Sequence, residues 1–205
     1  GRRPLSETAR GTLQAWDEQL ITHGTTIVKH RLDAIRMLQP LIAHHGDTLS
    51  NSREPMDTSY VSTWCPTDAQ TESDIADAFR AALELRHHDE VERGVTLVGP
   101  HRDDLVLLLS NLPAKGYASH GESWSYALAL RLASIELLKA ETRSGDPILI
   151  LDDVFAELDA GRRTRLAELV LNNEQVLITA AVAEDVPTEL KAKVFNVKAG
   201  VIEVG

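Results

Sequence analysis

The sequence predicts a mixed α/β protein, in which a helical region precedes a region that contains a parallel sheet. Apolar residues recur about every 3.6 positions through residues 1–45, which is the period of an amphipathic helix. Residues 148–151 are wholly apolar, as is typical of a strand buried on both faces of a parallel sheet. A helical pattern over residues 160–171 and a short apolar run over residues 176–179 complete the order of a βαβ crossover.

The first part of the chain is predicted to be mainly helical. Gly24 is expected to divide the first helical stretch in two, and Pro40 to kink or end its second half. Turn-forming residues follow, with one strand predicted over residues 59–64. A further helix is predicted over residues 71–86, with Ser73 as its N-cap.

The second part alternates between strands and helices. Residues 95–98 and 105–109 are predicted strands, because they are short runs rich in Val and Leu on either side of turn formers. A long helix is predicted over residues 122–142. The C-terminal residues 194–204 predict a hairpin with a three-residue loop, in which Gly200 takes the left-handed position.

Composition restricts the classes of function. The 205 residues carry a formal net charge of −10, with 9 basic and 14 acidic residues in 1–90 and 12 and 17 in 91–205. An acidic mean surface repels phosphate, so a generic polyanion binder is excluded. The single cysteine, Cys65, excludes an internal disulfide and a four-thiolate zinc site. No apolar run approaches the ~20 residues of a membrane helix, so we expect no membrane partner and a cytoplasmic location.

Two adjacent carboxylates, Asp152 and Asp153, follow the apolar run 148–151. Open α/β sheets bind their ligands at the carboxyl ends of their strands. The arrangement has the form of a Walker B element, in which one carboxylate holds the magnesium ion of a nucleotide and the next orients the attacking water. A simpler explanation is that an acidic residue caps the turn after the strand.

The predicted long helix opens on small and polar residues, YASHGES (residues 117–123). Free backbone N–H groups at a helix start can bind an anion, and a serine hydroxyl adds a donor. A plain helix cap by Ser119 or Ser123 accounts for the same pattern.

Three stretches together resemble the RecF family of DNA replication and repair proteins, whose heads are of the ABC and SMC type. They are TLVGPHRDDL (residues 96–105), YASHGE (117–122) and LLKAETRSGDPILILDDVFAELD (137–159). The resemblance extends more loosely to WDEQL (16–20) and to the region around Tyr60.

The resemblance implies a lever-like helical arm at residues 1–90 and the C-terminal part of an ABC-type ATPase head at residues 91–205. It also implies that a P-loop strand lies between residues 148–151 and 176–179, so these two strands are predicted not to be hydrogen-bonded to each other. The P-loop itself, G-x-x-x-x-G-K-[ST], is not in the sequence, because no glycine is followed by lysine. We therefore expect a C-terminal portion of a RecF-like protein that hydrolyses no ATP alone.

The resemblance also assigns candidate site residues. Asp152 matches the acid that coordinates magnesium, and Asp153 matches the acid that assists hydrolysis. The other matched residues lie outside this pair: the signature that binds the partner protomer's nucleotide (Ser119, Gly121, Glu122), the D-loop at the dimer interface (Glu157, Asp159) and the switch position (Thr179). Apart from the resemblance, His101 and Arg102 follow Gly99-Pro100 in a predicted tight loop. They form either a contact to DNA, a phosphate or the partner subunit, or an exposed turn paired with Asp103 or Asp104. Thr179 departs from the histidine of many ABC heads, and the signature has one glycine instead of two.

The function implied for the intact protein is ATP-dependent DNA binding in recombinational repair and the SOS response. Two heads would sandwich ATP and Mg²⁺ in an ATP-dependent homodimer on double-stranded DNA next to single-strand gaps, where RecR and RecO help load recombinase. The alternatives are a non-catalytic interaction module and another SMC/ABC-like ATPase, such as an overcoming-lysogenization nuclease. The GPHRDDL segment (residues 99–105) favours RecF over both.

Overall fold

The computed structural model of the protein describes residues 6–50, 54–142 and 145–204. The chain forms two compact units: Gly1–Pro40 with Met56–Tyr117, and Leu41–Pro55 with Ala118–Gly205. Neither boundary falls at residue 90, so the predicted division into an arm and a head stays a prediction. In the described ranges, no helix is both long and apolar enough to cross a membrane.

Helix α1 (Glu7–Leu49) runs without a break through both positions at which the sequence predicted an interruption. The prediction that Gly24 divides the helix is wrong, and Pro40 does not end it. Gly24 instead provides room for a close neighbour, because a Cβ atom at this position would overlap Cε1 of Phe79. Phe79 is fully buried on helix α2 (Glu72–Arg93), so its ring fills the space left by the missing side chain.

Replacing Gly24 with alanine is expected to destabilise the protein by about 1–3 kcal/mol, although alanine is the better helix former. The Phe79 ring cannot easily retreat, because it stacks on Trp64 with ring centroids 4.2 Å apart. Gly11→Ala is the matched control on the same helix: a Cβ there meets nothing within 4 Å. That substitution should stabilise the protein by about 0.5–1 kcal/mol. Denaturant unfolding measures both, and a stable Gly24→Ala variant would contradict the packing argument.

The N-cap of helix α2 lies two residues earlier than the sequence predicted. Thr71, not Ser73, is the N-cap, and its hydroxyl accepts a hydrogen bond from the backbone N–H of Asp74. The Asp74 carboxylate in turn accepts from the Thr71 N–H, which completes a capping box. The predicted helix is confirmed, and its buried apolar face consists of Ile75, Phe79 and Leu83.

The first unit contains an antiparallel sheet of three strands in the order β1 (Met56–Val61), β2 (Asp104–Leu109), β3 (Leu112–Pro113), followed by the short helix α3 (Ala114–Tyr117). The strand predicted over residues 59–64 therefore lies nearer the N-terminus than expected. Residues 95–98 form no strand, because the N–H groups of Leu97 and Val98 bond to the Glu90 carboxylate instead of a neighbouring strand.

In the second unit, helix α4 (His120–Glu141) precedes strand β4 (Leu149–Asp152), helix α5 (Ala160–Val170) and strand β5 (Val176–Thr179). This confirms the predicted strand–helix–strand order. Strand β4 is not buried on both faces, because Leu149 and Leu151 are buried whereas Ile150 is 64% exposed.

Strands β4 and β5 pair directly as a parallel ladder, from Leu149 opposite Val176 to Asp152 opposite Thr179. The prediction that another strand separates them is wrong for this structure. The physical reason is that each strand satisfies the other's backbone groups, and an unpaired buried amide costs about 1–3 kcal/mol. The direct pairing also brings the last residues of both strands to one sheet edge.

The remaining segments of this unit are short. Three 3₁₀ helices span Val154–Glu157, Ala183–Asp185 and Thr188–Leu190. The C-terminal hairpin pairs β6 (Phe195–Lys198) with β7 (Val201–Val204). Its loop has two residues instead of the predicted three, because Lys198 already pairs with Val201. Gly200 is left-handed as predicted, with φ 79°.

Candidate functional site

Two carboxylates and one hydroxyl meet at the end of the β4–β5 pair. Asp152 ends β4, and the Thr179 hydroxyl at the end of β5 donates a hydrogen bond to its Oδ1 atom. The Asp153 N–H donates to the Thr179 carbonyl oxygen and to Oγ1, each at 3.1 Å. Three of the residues singled out from the sequence thus form one hydrogen-bonded cluster, and all three are exposed.

Asp153 has a left-handed backbone, with φ 52° and ψ 23°. This conformation costs roughly 1–2 kcal/mol for an ordinary L-residue and less for Asp or Asn. Asp153 stands at the N-cap position of the 3₁₀ helix Val154–Glu157, but its side chain makes no capping hydrogen bond. The capping explanation for this residue is therefore wrong, and the carboxylate is not used to stabilise the turn.

The oxygen donors at this edge suit a magnesium ion that is shared with a nucleotide. Magnesium is usually bound by one or two carboxylates together with phosphate and water oxygens. Asp152 and Asp153 supply the carboxylates, and Thr179 orients one of them. Within residues 6–50, 54–142 and 145–204, no group of three or more His, Cys, Asp or Glu residues is arranged to hold a metal.

The start of α4 is a capping box. Ser119 is the N-cap: its Oγ accepts from the Glu122 N–H at 3.3 Å, and the Glu122 Oε2 accepts from the Ser119 N–H at 2.7 Å. These hydrogen bonds to Ser119 lower the pKa of Glu122. The simple-cap explanation is thus confirmed for Ser119, whereas anion binding by the same residues stays a prediction.

The predicted signature and D-loop residues touch each other within the second unit. His120 Nε2 lies 3.5 Å from Glu157 Oε2. The Arg162 guanidinium covers Gly121 so closely that a Cβ atom there would lie 2.8 Å from Nη1. The same guanidinium forms an ion pair of 2.9 Å with Asp159, the N-cap of α5. Arg162 was not predicted as a site residue, since its sequence position alone suggests a solvated helix face.

The neighbouring arginines on α5 also make specific contacts. The Nε of Arg163 donates to the Leu158 carbonyl oxygen at 2.9 Å, and its guanidinium pairs with Asp185 at 2.9 Å. The Nε of Arg165 donates to the Leu49 carbonyl oxygen at 3.3 Å. These two arginines therefore tie α5 to adjacent backbone and are not simply solvated.

His101 and Arg102 lie in a tight turn of the first unit, in which the Arg102 N–H donates to the Gly99 carbonyl oxygen at 2.9 Å. Their side chains do not pair with the following acidic residues, contrary to one sequence interpretation. His101 Nε2 and Arg102 Nη2 both approach the Thr96 carbonyl oxygen, at 3.3 and 3.1 Å.

Two distant residues hold this turn in place. Arg31 of α1 donates to the Pro100 carbonyl oxygen at 2.7 Å. The Tyr60 hydroxyl donates to Asp103 Oδ2 at 2.6 Å, and burial together with this bond raises the pKa of Tyr60 to about 12. Arg31 was missed by the sequence analysis, because 69 residues separate it from Pro100 and no local pattern marks the contact.

Carboxylates at the carboxyl edge of a parallel strand pair are one of the features from which we predicted the class of ABC/SMC-like ATPase heads. No family model matches the chain. It is 50% identical to the DNA replication and repair protein RecF of Leifsonia xyli subsp. xyli, over 96% of this chain and 54% of that protein. It is 52% identical to RecF of Streptomyces avermitilis, over 94% of this chain and 51% of that protein. These matches at about 50% identity over nearly the whole chain confirm the resemblance to the RecF family found in the sequence.

Solved structures agree with this assignment. A structure of the recombination mediator protein RecF-ATPrS in the RecFOR pathway is 26% identical, with a TM-score of 0.77, and the match covers 95% of this chain and 50% of that one. A second, of RecF-ATP in the same pathway, has a TM-score of 0.78 at 24% identity and shows the fold alone. The mixed α/β fold predicted from the sequence is confirmed, and the chain spans about half the length of the curated relatives it matches.

Proposed function

We propose that this chain is part of an ATP-dependent DNA-binding protein of recombinational repair. The observation that carries the proposal is the cluster of Asp152, Asp153 and Thr179 at one sheet edge. The names of the curated relatives, DNA replication and repair protein RecF, and of the RecF-ATPrS structure support the repair role and the nucleotide.

Each residue of the cluster has a separate role in this proposal. Asp152 would hold a magnesium ion bound with ATP, which when present neutralises charge on the phosphates. Asp153 would accept a hydrogen bond from the attacking water and orient it. The Thr179 hydroxyl fixes the Asp152 carboxylate through its hydrogen bond, so Thr179 is a positioning residue.

The start of α4 and the D-loop would serve a nucleotide bound to a second copy. Ser119, Gly121 and Glu122 form the candidate contact, and the pairs His120–Glu157 and Arg162–Asp159 connect it to the D-loop. In this proposal ATP stabilises a homodimer, which is the form that binds DNA.

The proposed partners are double-stranded DNA beside single-strand gaps and the RecR and RecO mediators, in the cytoplasm. His101 and Arg102 are the candidate phosphate contacts. Both side chains are positioned by the carbonyl oxygen of Thr96. Among the ion pairs of the described residues, Arg102 has no carboxylate partner, so its charge is available to a DNA phosphate.

The 205-residue chain alone is expected to show no magnesium-dependent ATP turnover, since its sequence contains no P-loop to hold the phosphates. In a form of the protein that contains a P-loop, Asp152→Asn should abolish turnover, measured as phosphate release. Asp146→Asn is the matched control, because Asp146 forms an ion pair with Lys139 outside the cluster. Turnover by the chain alone that Asp152→Asn removes would overturn the proposal.

A non-catalytic interaction module is the second candidate, and one observation favours it. The capping box already uses the backbone N–H groups of Ser119 and Glu122, which are donors that an incoming phosphate would need. ATP-dependent dimerisation discriminates between the two, because only the ATPase proposal requires it.

A further inference from the structure

The WDEQL segment (residues 16–20) has no part in the proposed nucleotide site, yet it carries an exposed tryptophan. Trp16 is 68% exposed, although tryptophan is a residue that proteins usually bury for the most part. Trp16 borders a groove of about 500 Å³. The beginning of α1 forms one side of this groove, and the end of α2 together with residues 94–96 forms the other.

The walls of this groove are largely apolar. Leu13 on α1 and Val91 on α2 line it and are half-buried, while Val95 beyond the end of α2 is 49% exposed. The wall formed by α2 is held firmly, because the Gly94 N–H and the Val95 N–H both donate to the Glu90 carbonyl oxygen, at 2.7 and 3.3 Å.

The charge of the groove is entirely negative. Its lining contains Asp17 and Glu90 and no Lys, Arg or His. Glu90 Oε1 accepts the N–H groups of Leu97 and Val98, so this carboxylate is fixed in place. His101 and Arg102 contact the margin of the groove at Thr96, and neither forms an ion pair with the two carboxylates in the described structure.

Asp17 is half-buried, and among the described residues its carboxylate has neither a hydrogen-bond donor nor an ion-pair partner. Burial, followed by repulsion from Glu90, raises the pKa of Asp17, and attraction by His87 opposes this increase more weakly. The folded protein therefore stabilises this negative charge less well than water does, and a cation placed beside it would be bound favourably.

We propose that this groove binds a segment of a partner protein in which a lysine or arginine neighbours a large apolar side chain. The apolar side chain would cover Leu13, Val91 and Val95, and the cation would lie against Asp17 and the face of the Trp16 ring. This interaction is independent of the proposed nucleotide site.

A library of random 12-residue peptides displayed on phage provides the probe. Peptides selected on the 205-residue chain, with counter-selection on Asp17→Lys, are expected to share a basic residue next to a large apolar one. A synthetic peptide of the recovered sequence should bind Asp17→Asn and Trp16→Ala at least about tenfold more weakly than wild type, as for loss of a hydrogen bond to a charged group.

Glu18→Gln is the matched control, because the neighbouring Glu18 pairs with Arg80 at 3.6 Å and does not line the groove. It should bind the peptide like wild type. Asp17→Asn should melt no lower than wild type, because it removes a charge that the fold disfavours, so its weaker binding cannot be ascribed to unfolding.

Three outcomes would overturn the proposal. They are recovered peptides without a basic residue, peptide affinity unchanged by Asp17→Asn, and self-association of the wild-type chain that Trp16→Ala abolishes in analytical ultracentrifugation. The last would make a second copy of this chain the occupant of the groove.

Discussion

Replacing Ser119 with arginine is expected to abolish ATP-dependent pairing of two copies without weakening ATP binding by either copy, in a form of the protein that contains a P-loop. Ser119 stands at the start of α4, where the proposed dimer would place the partner's γ-phosphate. A long side chain there would fill the space for that phosphate. We expect the dimer to be weakened by about 30-fold or more, as for a central interface residue. Light scattering with and without ATP measures the change.

Two further substitutions at the same position separate crowding from loss of the helix cap. Ser119→Ala removes the hydroxyl that accepts the Glu122 N–H and should cost about 1 kcal/mol of stability, while leaving space for the phosphate. Ser119→Asn keeps a capping side chain of moderate size. Dimerisation by the arginine variant equal to that of wild type would remove Ser119 from the proposed interface.

Asp153→Asn is expected to slow ATP hydrolysis by about 10²–10⁴-fold while preserving nucleotide binding and dimerisation. The carboxylate of Asp153 makes no capping bond, so the substitution removes a group that the local structure does not use. Asparagine tolerates the left-handed backbone of this position, where φ is 52°. The two hydrogen bonds to Thr179 come from the backbone N–H and are retained. Single-turnover phosphate release measures the rate.

Asp153→Gly tests whether the effect comes from the carboxylate or from the backbone. Glycine adopts φ 52° without strain, so this variant should be at least as stable as wild type and hydrolyse ATP as slowly as Asp153→Asn. If hydrolysis by the asparagine variant matched wild type, Asp153 would have no role in orienting the water.

The parts of the fold that depend on local chemistry could be predicted from the sequence. The long helix α4, strand β5 and the C-terminal hairpin each depend on nearby residues, such as the apolar run that ends at Thr179. The location of Asp152 and Thr179 at the same sheet edge could also be predicted, because the carboxyl ends of parallel strands share one edge. Their direct hydrogen bond could not, because a further strand was predicted between them.

Contacts between distant parts of the sequence could not be predicted in the same way. In the sequence alone, Gly24 predicts an interruption of the helix. The structure explains the glycine differently, because the ring of Phe79 occupies the space of a side chain at this position. Residues 95–98 have the composition of a strand, but the N–H groups of Leu97 and Val98 donate to the Glu90 carboxylate and not to another strand. The pairing of β4 with β5 depends on which strands are available as neighbours, and no local pattern contains that information.

The packing of Arg162 over Gly121 sets a rule for building chimeric RecF proteins. Residues 119–122 and 157–162 form one module, because His120 contacts Glu157 and Arg162 joins Gly121 to Asp159. Suppose that residues 119–122 are replaced by the segment of another protein that has a side chain at the position of Gly121. That side chain would displace the native Arg162 and break its ion pair with Asp159. The two segments therefore have to be transplanted together, even though the rest of α4 and the whole of β4 separate them in the chain.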